Sequence, residues 1–269
     1  MTTQELQAVC RQVRRDIVEM TAAAASGHPG GSLSAVELTV GAFYHAMRVD
    51  PANPHWEGRD RFVLSKGHVS PCYYGVLAEK GFFPREELMT FRQLHSRLQG
   101  HPDAKKLPGV DASTGSLGQG VSIANGMALG AKLLGKDTKV FVLCGDGELQ
   151  EGQIWEAFMS AAHYHLDNLT VLIDWNGLQI DGSNDEVMSL GDLPAKLRAF
   201  GFDFYEIDGH DLDAIEAALS APVVPGKPRC ILAHTVKGKG VSYMENQAGW
   251  HGKAPNAEQR DQALQELEG

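Results

Sequence analysis

The sequence predicts an α/β protein, a parallel sheet with helices on both faces. Three observations predict it. The run Lys139-Val140-Phe141-Val142-Leu143-Cys144 is short, unbroken and apolar, as strands buried on both faces are. Strand-like and helix-like segments then alternate as far as Ala233, the order that βαβ units produce. The chain of 269 residues is long enough for one large α/β domain. No repeat, low-complexity tract or Ser/Pro-rich linker divides it, so residues 1–269 read as a single domain.

Taken in order, Leu6, Val9, Val13, Ile17 and Met20 recur at a spacing of three to four, which predicts an amphipathic helix over residues 3–25. Ser26-Gly27-His28-Pro29-Gly30-Gly31 stops it. A second helix is expected over 33–47, a short strand over 61–64, and helical stretches over 71–79 and 84–92. The glycine cluster Gly115-Ser116-Leu117-Gly118-Gln119-Gly120 opens a small-residue helix that runs to about Leu134. After the strand at 139–144 come a helix over 152–164, a strand over 169–174 and a helix over 194–200. A strand over 202–207, a helix over 211–219 and a strand over 229–233 complete the series. Ligands of such sheets bind beyond the carboxyl ends of the strands, which directs attention to the loops after Cys144 and Asp174.

Composition narrows the function. Twenty-four Lys and Arg against 34 Asp and Glu give a net charge of −10, which opposes the phosphate neutralisation that nucleic-acid binding requires. The first residues lack a basic region followed by an apolar stretch, and nowhere do 18 apolar residues run together, so a cytoplasmic location without membrane attachment is expected. Cys10, Cys72, Cys144 and Cys230 are far apart with no C-x-x-C pair, which reads as four reduced core thiols. Glycine is abundant, 30 of 269 residues. That is about 11% against an average near 7%, as in chains whose backbone turns sharply or approaches a ligand closely.

Two phosphate-binding patterns fail on inspection. Gly130-Ala131-Lys132-Leu133-Leu134-Gly135-Lys136-Asp137 spells G-x-x-x-x-G-K, but Asp137 stands where a P-loop needs Ser or Thr, and the segment ends a helix. Gly115, Gly118 and Gly120 do not form a dinucleotide fingerprint either.

The informative stretch is Cys144-Gly145-Asp146-Gly147-Glu148-Leu149-Gln150-Glu151-Gly152, with Ile173-Asp174-Trp175-Asn176 beyond it. Asp146 and Asn176 lie 30 residues apart, about one βαβ unit, which places them at neighbouring strand ends. One carboxylate and one amide oxygen are too few to cage a metal alone. They suit Mg²⁺, a hard cation that keeps water and shares phosphate oxygens with its ligand. Gly147, without a side chain, leaves its N–H free to meet a phosphate, and the following helix offers its positive end. Taken alone, Gly-Asp-Gly is equally a turn with Asp146 as a helix cap; the Asn at the second strand tip favours the diphosphate.

Gly-Asp-Gly with Asn thirty residues on resembles the thiamin diphosphate signature. It is joined here by Ser26-Gly27-His28-Pro29-Gly30, Ser65-Lys66-Gly67-His68, Phe91-Arg92-Gln93, Gly100-His101-Pro102-Asp103 and Thr114-Gly115-Ser116-Leu117-Gly118-Gln119-Gly120. In this order the motifs resemble the N-terminal, diphosphate-binding domain of transketolase over residues 28–251. The resemblance implies that Asp146, Asn176 and the Leu178 carbonyl coordinate Mg²⁺, with Ca²⁺ or Mn²⁺ as substitutes. It implies that the Gly145-Asp146-Gly147 turn and His68 hold the diphosphate of thiamin diphosphate, and that backbone groups of Gly115, Ser116 and Leu117 meet its pyrimidine end. His28, His101 and His251 match histidines that surround the thiazolium and the sugar hydroxyls, and Glu151 matches an acidic residue that links the two active sites. Neutral-pH proton movement at hydroxyls is chemistry that histidine performs well, each placed acid or base being worth roughly 10²–10⁴ in rate. The electron sink belongs to the coenzyme.

The other seven histidines, His45, His55, His95, His163, His165, His210 and His234, show no comparable pattern. His163 and His165 are two apart and face different ways on a helix. Lys237-Gly238-Lys239-Gly240 reads as a solvated loop, with a phosphate-facing turn as the alternative.

Against the family pattern, Ser116 replaces a usual Pro and Asp103 a frequent Glu. Family chains continue into a pyrimidine-binding domain and a C-terminal domain, which carry the glutamate that activates the coenzyme and the arginines that grip the sugar phosphate. The 18 residues after His251 hold neither. The expectation is therefore one half of a split transketolase, inactive alone and paired with a larger C-terminal chain in a two-plus-two assembly. The glycine- and alanine-rich helix over 121–134 is a candidate contact face or, equally, tight packing within the domain. Ketol transfer from a ketose phosphate to an aldose phosphate is the leading function. A 1-deoxyxylulose-5-phosphate-synthase-like enzyme and a non-catalytic module retaining the fold are the alternatives.

Overall fold

In the computed structural model, residues 1–268 are described. Helix α1 (Thr3–Ala23) begins at a capping box in which the Thr2 hydroxyl accepts from the Glu5 N–H and the Glu5 carboxylate accepts from the Thr2 N–H. Its apolar stripe is buried, as the spacing of Leu6, Val13, Ile17 and Met20 requires. The single helix expected over 33–47 is instead three pieces: α2 (Pro29–Ser34), α3 (Val36–Gly41) and a π turn, Ala42–Ala46. Hydroxyls of Ser32 and Thr39 bond back to the carbonyls of His28 and Ala35, a competition with the helical ladder that bends helices.

Strand β1 (Arg61–Leu64) is followed by α4 (Ser70–Lys80) and by a 3₁₀ turn, Arg85–Thr90, in place of the full helix expected over 84–92. Then come α5 (Gln119–Leu133), β2 (Val140–Gly145), a 3₁₀ turn Gly147–Gln150, α6 (Gly152–His163) and β3 (Leu169–Trp175). Two short strands not expected from the sequence, β4 (Leu178–Gln179) and β5 (Gly182–Ser183), form an antiparallel hairpin that leads into α7 (Asn184–Met188). The chain ends with α8 (Leu193–Ala199), β6 (Asp203–Asp208), α9 (Leu212–Ser220), β7 (Arg229–His234) and α10 (Ala257–Glu266), the last also unexpected.

The main sheet has the order β1-β2-β3-β7-β6, and every pairing is parallel. All six residues of β2 are buried, and alternate ones face opposite cores. Phe141 and Leu143 join the core with α1, α3 and α4, whereas Val140, Val142 and Cys144 join the core with α5 and α6. The expected sheet covered on both faces is therefore present. Cys10, Cys72, Cys144 and Cys230 are all buried and unpaired. Gly135, at φ 63°, lies just past the end of α5, so the G-x-x-x-x-G-K sequence closes a helix as expected.

Candidate functional site

The parallel register determines where the site lies. Leu64 pairs with Leu143, Gly145 with Asp174, and Trp175 with His234. Four neighbouring strands therefore deliver their following loops to one edge: Ser65 to His68 after β1, Asp146 after β2, Asn176 after β3 and Thr235 to Lys237 after β7. A cavity of about 110 Å³ opens there, lined among others by His68, Leu117, Asp146, Asn176, Lys237 and His251.

Asp146 is buried. Its Oδ1 accepts from the Gly147 N–H at 2.8 Å and its Oδ2 from the Gly177 N–H at 2.5 Å, so the Gly147 N–H has an intrachain partner. Burial and the neighbouring Asp174 carboxylate push Asp146 above the usual aspartate range. Such a carboxylate gains from a cation brought beside it. Asp146 caps the 3₁₀ turn at Gly147, not an α-helix, and the positive end of α6 lies further on, at Gly152. The Asn176 side-chain oxygen accepts from the Leu178 N–H at 3.2 Å. The Leu178 carbonyl accepts from the Lys237 ammonium at 3.3 Å. Among the described residues no three His, Cys, Asp or Glu side chains gather as a metal cage. The donor set of one carboxylate, one amide oxygen and one peptide oxygen fits a hard cation that completes its shell with phosphate oxygens.

Lys237 corrects the expectation of a solvated loop: it is 1% exposed. Its ammonium contacts His251 Nδ1 at 3.1 Å, and burial lowers its pKa to about 8. A buried cation facing the cavity mouth of Asp146 is an anion ligand that residue type and spacing could not reveal. Beneath it Lys66 forms an ion pair with Asp174, which also accepts from the hydroxyls of Ser34 and Thr235. Burial alone would raise Asp174, but the Lys66 charge and these donors outweigh it and hold the carboxyl below its ordinary range.

His28, His68 and His251 form one cluster, with ring centroids 5.1 Å apart for His28–His68, 5.5 Å for His28–His251 and 5.0 Å for His68–His251. Burial is the chief reason their pKa values fall, with neighbouring cations adding to it: His28 to about 4, His251 to about 3, and His68 well below normal. At neutral pH all three are neutral imidazoles, each with one donor and one acceptor nitrogen. His101 is exposed; burial and Arg92 lower its pKa too, and a Cβ on Gly115 would come within 3.1 Å of its ring. Gly115 itself has φ 150°, which favours glycine, while Ser116 is exposed and Leu117 faces the cavity. Glu151 is exposed, apart from the cavity. His45 stays away from the site, paired with Glu216 at 3.4 Å.

Glu148, which motif reading does not single out, ties these loops together. Its buried carboxylate accepts from the Ser65 hydroxyl at 2.5 Å, the Gly118 N–H at 2.8 Å and the Gly145 N–H at 3.1 Å. Gly120 packs directly on this bond, since a Cβ there would lie 2.6 Å from Ser65 Cα. The Gly120→Ala variant should lose about 1–3 kcal/mol of stability by denaturant titration, and wild-type stability in that variant would refute the contact.

The sequence comparison agrees with this geometry. The family described as the transketolase thiamine diphosphate-binding domain matches residues 3–268. The chain belongs to that family. One of the two chains of an apulose-4-phosphate transketolase from Phocaeicola vulgatus is 42% identical to it, over 99% of this chain and 95% of that protein. A 6-deoxy-6-sulfo-D-fructose transketolase subunit from a Clostridium species is also 42% identical, over 98% of this chain and 96% of that protein. Among solved structures, transketolase from Leishmania mexicana superposes with a TM-score of 0.93 at 31% identity, covering 98% of this chain and 41% of that one. The Campylobacter jejuni transketolase gives 0.92 at 36% identity, with all of this chain and 43% of that one covered. The chain thus spans about two fifths of these solved transketolases. The α/β fold expected from the sequence is the fold of this transketolase domain.

Proposed function

We propose that this chain is the coenzyme-binding N-terminal half of a two-subunit transketolase that moves a two-carbon ketol unit from a ketose phosphate to an aldose phosphate. The observation that carries this reading is the convergence of Asp146, Asn176, the Leu178 carbonyl and Lys237 on a cavity flanked by His68 and His251. Relatives named as transketolase subunits match it over nearly their whole length, which supports a partner chain carrying the remaining domains.

In this reading Asp146, Asn176 and Leu178 hold Mg²⁺, for which Ca²⁺ or Mn²⁺ can substitute. The Gly145-Asp146-Gly147 turn, His68 and Lys237 hold the diphosphate, and the backbone of Gly115, Ser116 and Leu117 contacts the pyrimidine end. Bound thiamine diphosphate supplies the electron sink for carbon–carbon cleavage. The protein's part is binding, orientation and proton handling. His28 and His251, neutral and clustered, accept or return protons at substrate hydroxyls, and His101 does so from the exposed side. The ordinarily costly burial of imidazoles is what keeps them neutral and ready to exchange a proton at pH 7. Glu151, at the surface, contacts the partner. The assembly holds two copies of each chain, and its four unpaired buried thiols fit the reducing cytoplasm.

The test is to copurify the natural partner and assay ketol transfer with thiamine diphosphate and Mg²⁺. The complex should be active and this chain alone inactive. Transfer by the chain alone would overturn the two-subunit reading, and a coenzyme-loaded complex without transfer would overturn the activity.

A further inference from the structure

The motif Phe91-Arg92-Gln93 has no task in the site described above, yet Arg92 is held in an unusual way. Its backbone sits at φ 59°, in the left-handed region that is costly for a residue other than glycine. Its guanidinium lies over the Phe91 ring, 5.5 Å from the centroid, and a Cβ on Gly100 would come within 2.8 Å of it. Backbone strain, an aromatic platform and a glycine that vacates the space all place one cationic group at one point.

That point is the edge of an open concavity of about 410 Å³ that Ser26, Gln93, Gly100 and His101 also line. Of the five N–H donors of the guanidinium, one is used, by Nη1 to the Ser26 hydroxyl at 2.9 Å. Nε is buried with no partner. Among the described residues no carboxylate pairs with Arg92, although the chain carries 34 acidic residues. Other arginines of similar burial are paired: Arg14 with Glu37 at 2.7 Å, Arg59 with Asp111 at 2.5 Å and Arg97 with Glu87 at 2.5 Å. Burial lowers the pKa of Arg92, and its charge contributes to the low values of His28 and His101. A partly desolvated cation without a counter-ion is a standing cost, which an external anion relieves.

We infer that Arg92 is a specificity-determining residue, an anion subsite on this chain that takes the tetrahedral oxyanion, phosphate or sulfonate, of the sugar substrate. The inference rests on the proposed reading of the adjoining cleft, in which His28 and His101 face the substrate hydroxyls. The guanidinium fork matches such an oxyanion through two parallel N–H···O bonds, which Lys cannot reproduce in full.

The test uses the complex with its partner and propanal as an uncharged acceptor. Three donors are compared: fructose 6-phosphate, 6-deoxy-6-sulfofructose and uncharged erythrulose. Arg92→Met should raise KM for the charged donor about tenfold to a hundredfold, with far less loss for erythrulose. Arg92→Lys should recover part of that loss. Which of the two charged donors responds identifies the oxyanion. Equal losses for all donors, or an unchanged KM for both charged ones, would overturn the inference, as would weakened partner binding without a change in donor preference. If a coenzyme-loaded wild-type complex turns over none of the three, calorimetric Kd values for fructose 6-phosphate and 6-deoxy-6-sulfofructose replace KM. Binding of either no weaker in Arg92→Met then counts against Arg92. A wild-type complex that binds no thiamine diphosphate with Mg²⁺ overturns the reading of the cleft instead, a separate result.

Discussion

Asp146→Asn should abolish Mg²⁺-dependent binding of thiamine diphosphate while leaving the fold as stable as before, or more stable. The two effects separate because the carboxylate does two things. Structurally, its oxygens accept from the N–H groups of Gly147 and Gly177, and the asparagine oxygen preserves one of these bonds. Electrostatically, its negative charge is buried beside Asp174, which pushes its pKa up; removing that charge relieves repulsion. The charge therefore costs the empty fold and benefits only the metal. Losing a direct ligand should exceed the about 10–100-fold that outer-shell changes cost in metal affinity. Calorimetry with and without Mg²⁺ measures the affinity, and thermal denaturation the stability. His45→Ala, with its side chain paired to Glu216 outside the cavity, should bind as wild type does. Equal losses in both variants, or Mg²⁺-dependent binding retained by Asp146→Asn, would remove Asp146 from the site.

What the sequence discloses of this molecule depends on whether the determining interaction is local. Strand β2 is legible because six consecutive buried residues leave a continuous apolar signal, and the chain order of strands and helices then restricts the sheet to parallel crossovers. The neighbouring ends that bring Asp146 and Asn176 together follow from that order. Helix α10 is illegible by periodicity, since Ala263 is the one fully buried position along it, and it is held through Arg15 to the Leu264 carbonyl and Tyr243 to the Gln259 carbonyl. Its Asn256/Gln259 capping box, and that of Ser183/Glu186 before α7, are local signals that mark both helices. Lys237 and Glu148 belong to a different category. Nothing in Lys-Gly-Lys-Gly says which lysine is buried, because its burial is decided by β7 lying beside β3 and by the Gly30 carbonyl, which accepts from the Gly238 N–H at 2.9 Å. The motif histidines are readable as a set, but their mutual contact, and hence their neutrality, arises only when loops from Gly27, Gly67 and Trp250 meet.

Glu37→Gln should be the most destabilising single change outside the cleft, costing about 3–5 kcal/mol because it leaves a buried guanidinium unpaired. Arg14 and Glu37 face each other with side chains 8% and 9% exposed, through two bonds of 2.7 and 2.8 Å. For a chain of this size such a loss lowers the midpoint of thermal unfolding by about 10 °C. The dependence on acid follows from the sign of the shift. Burial raises the Glu37 pKa, but Arg14 and the His210 hydrogen bond outweigh it and bring it to about 2, below the unfolded value of 4.5. The stabilisation is therefore full above about pH 4.5 and declines as pH falls towards 2, so wild type and Glu37→Gln should converge in that window. A gap that stays constant from pH 7 to pH 3 would refute the assignment. Replacing both partners, as in Arg14→Met with Glu37→Leu, should cost less than either single change, since no charge is then stranded. The same carboxylate also reaches the cleft: Glu37 bonds His210 Nδ1 at 3.0 Å, and His210 Nε2 accepts from the Val236 N–H at 2.8 Å, one residue before Lys237. Glu37→Gln should accordingly weaken coenzyme binding at temperatures where the variant is still folded, whereas a purely structural pair would leave the affinity of the folded fraction unchanged.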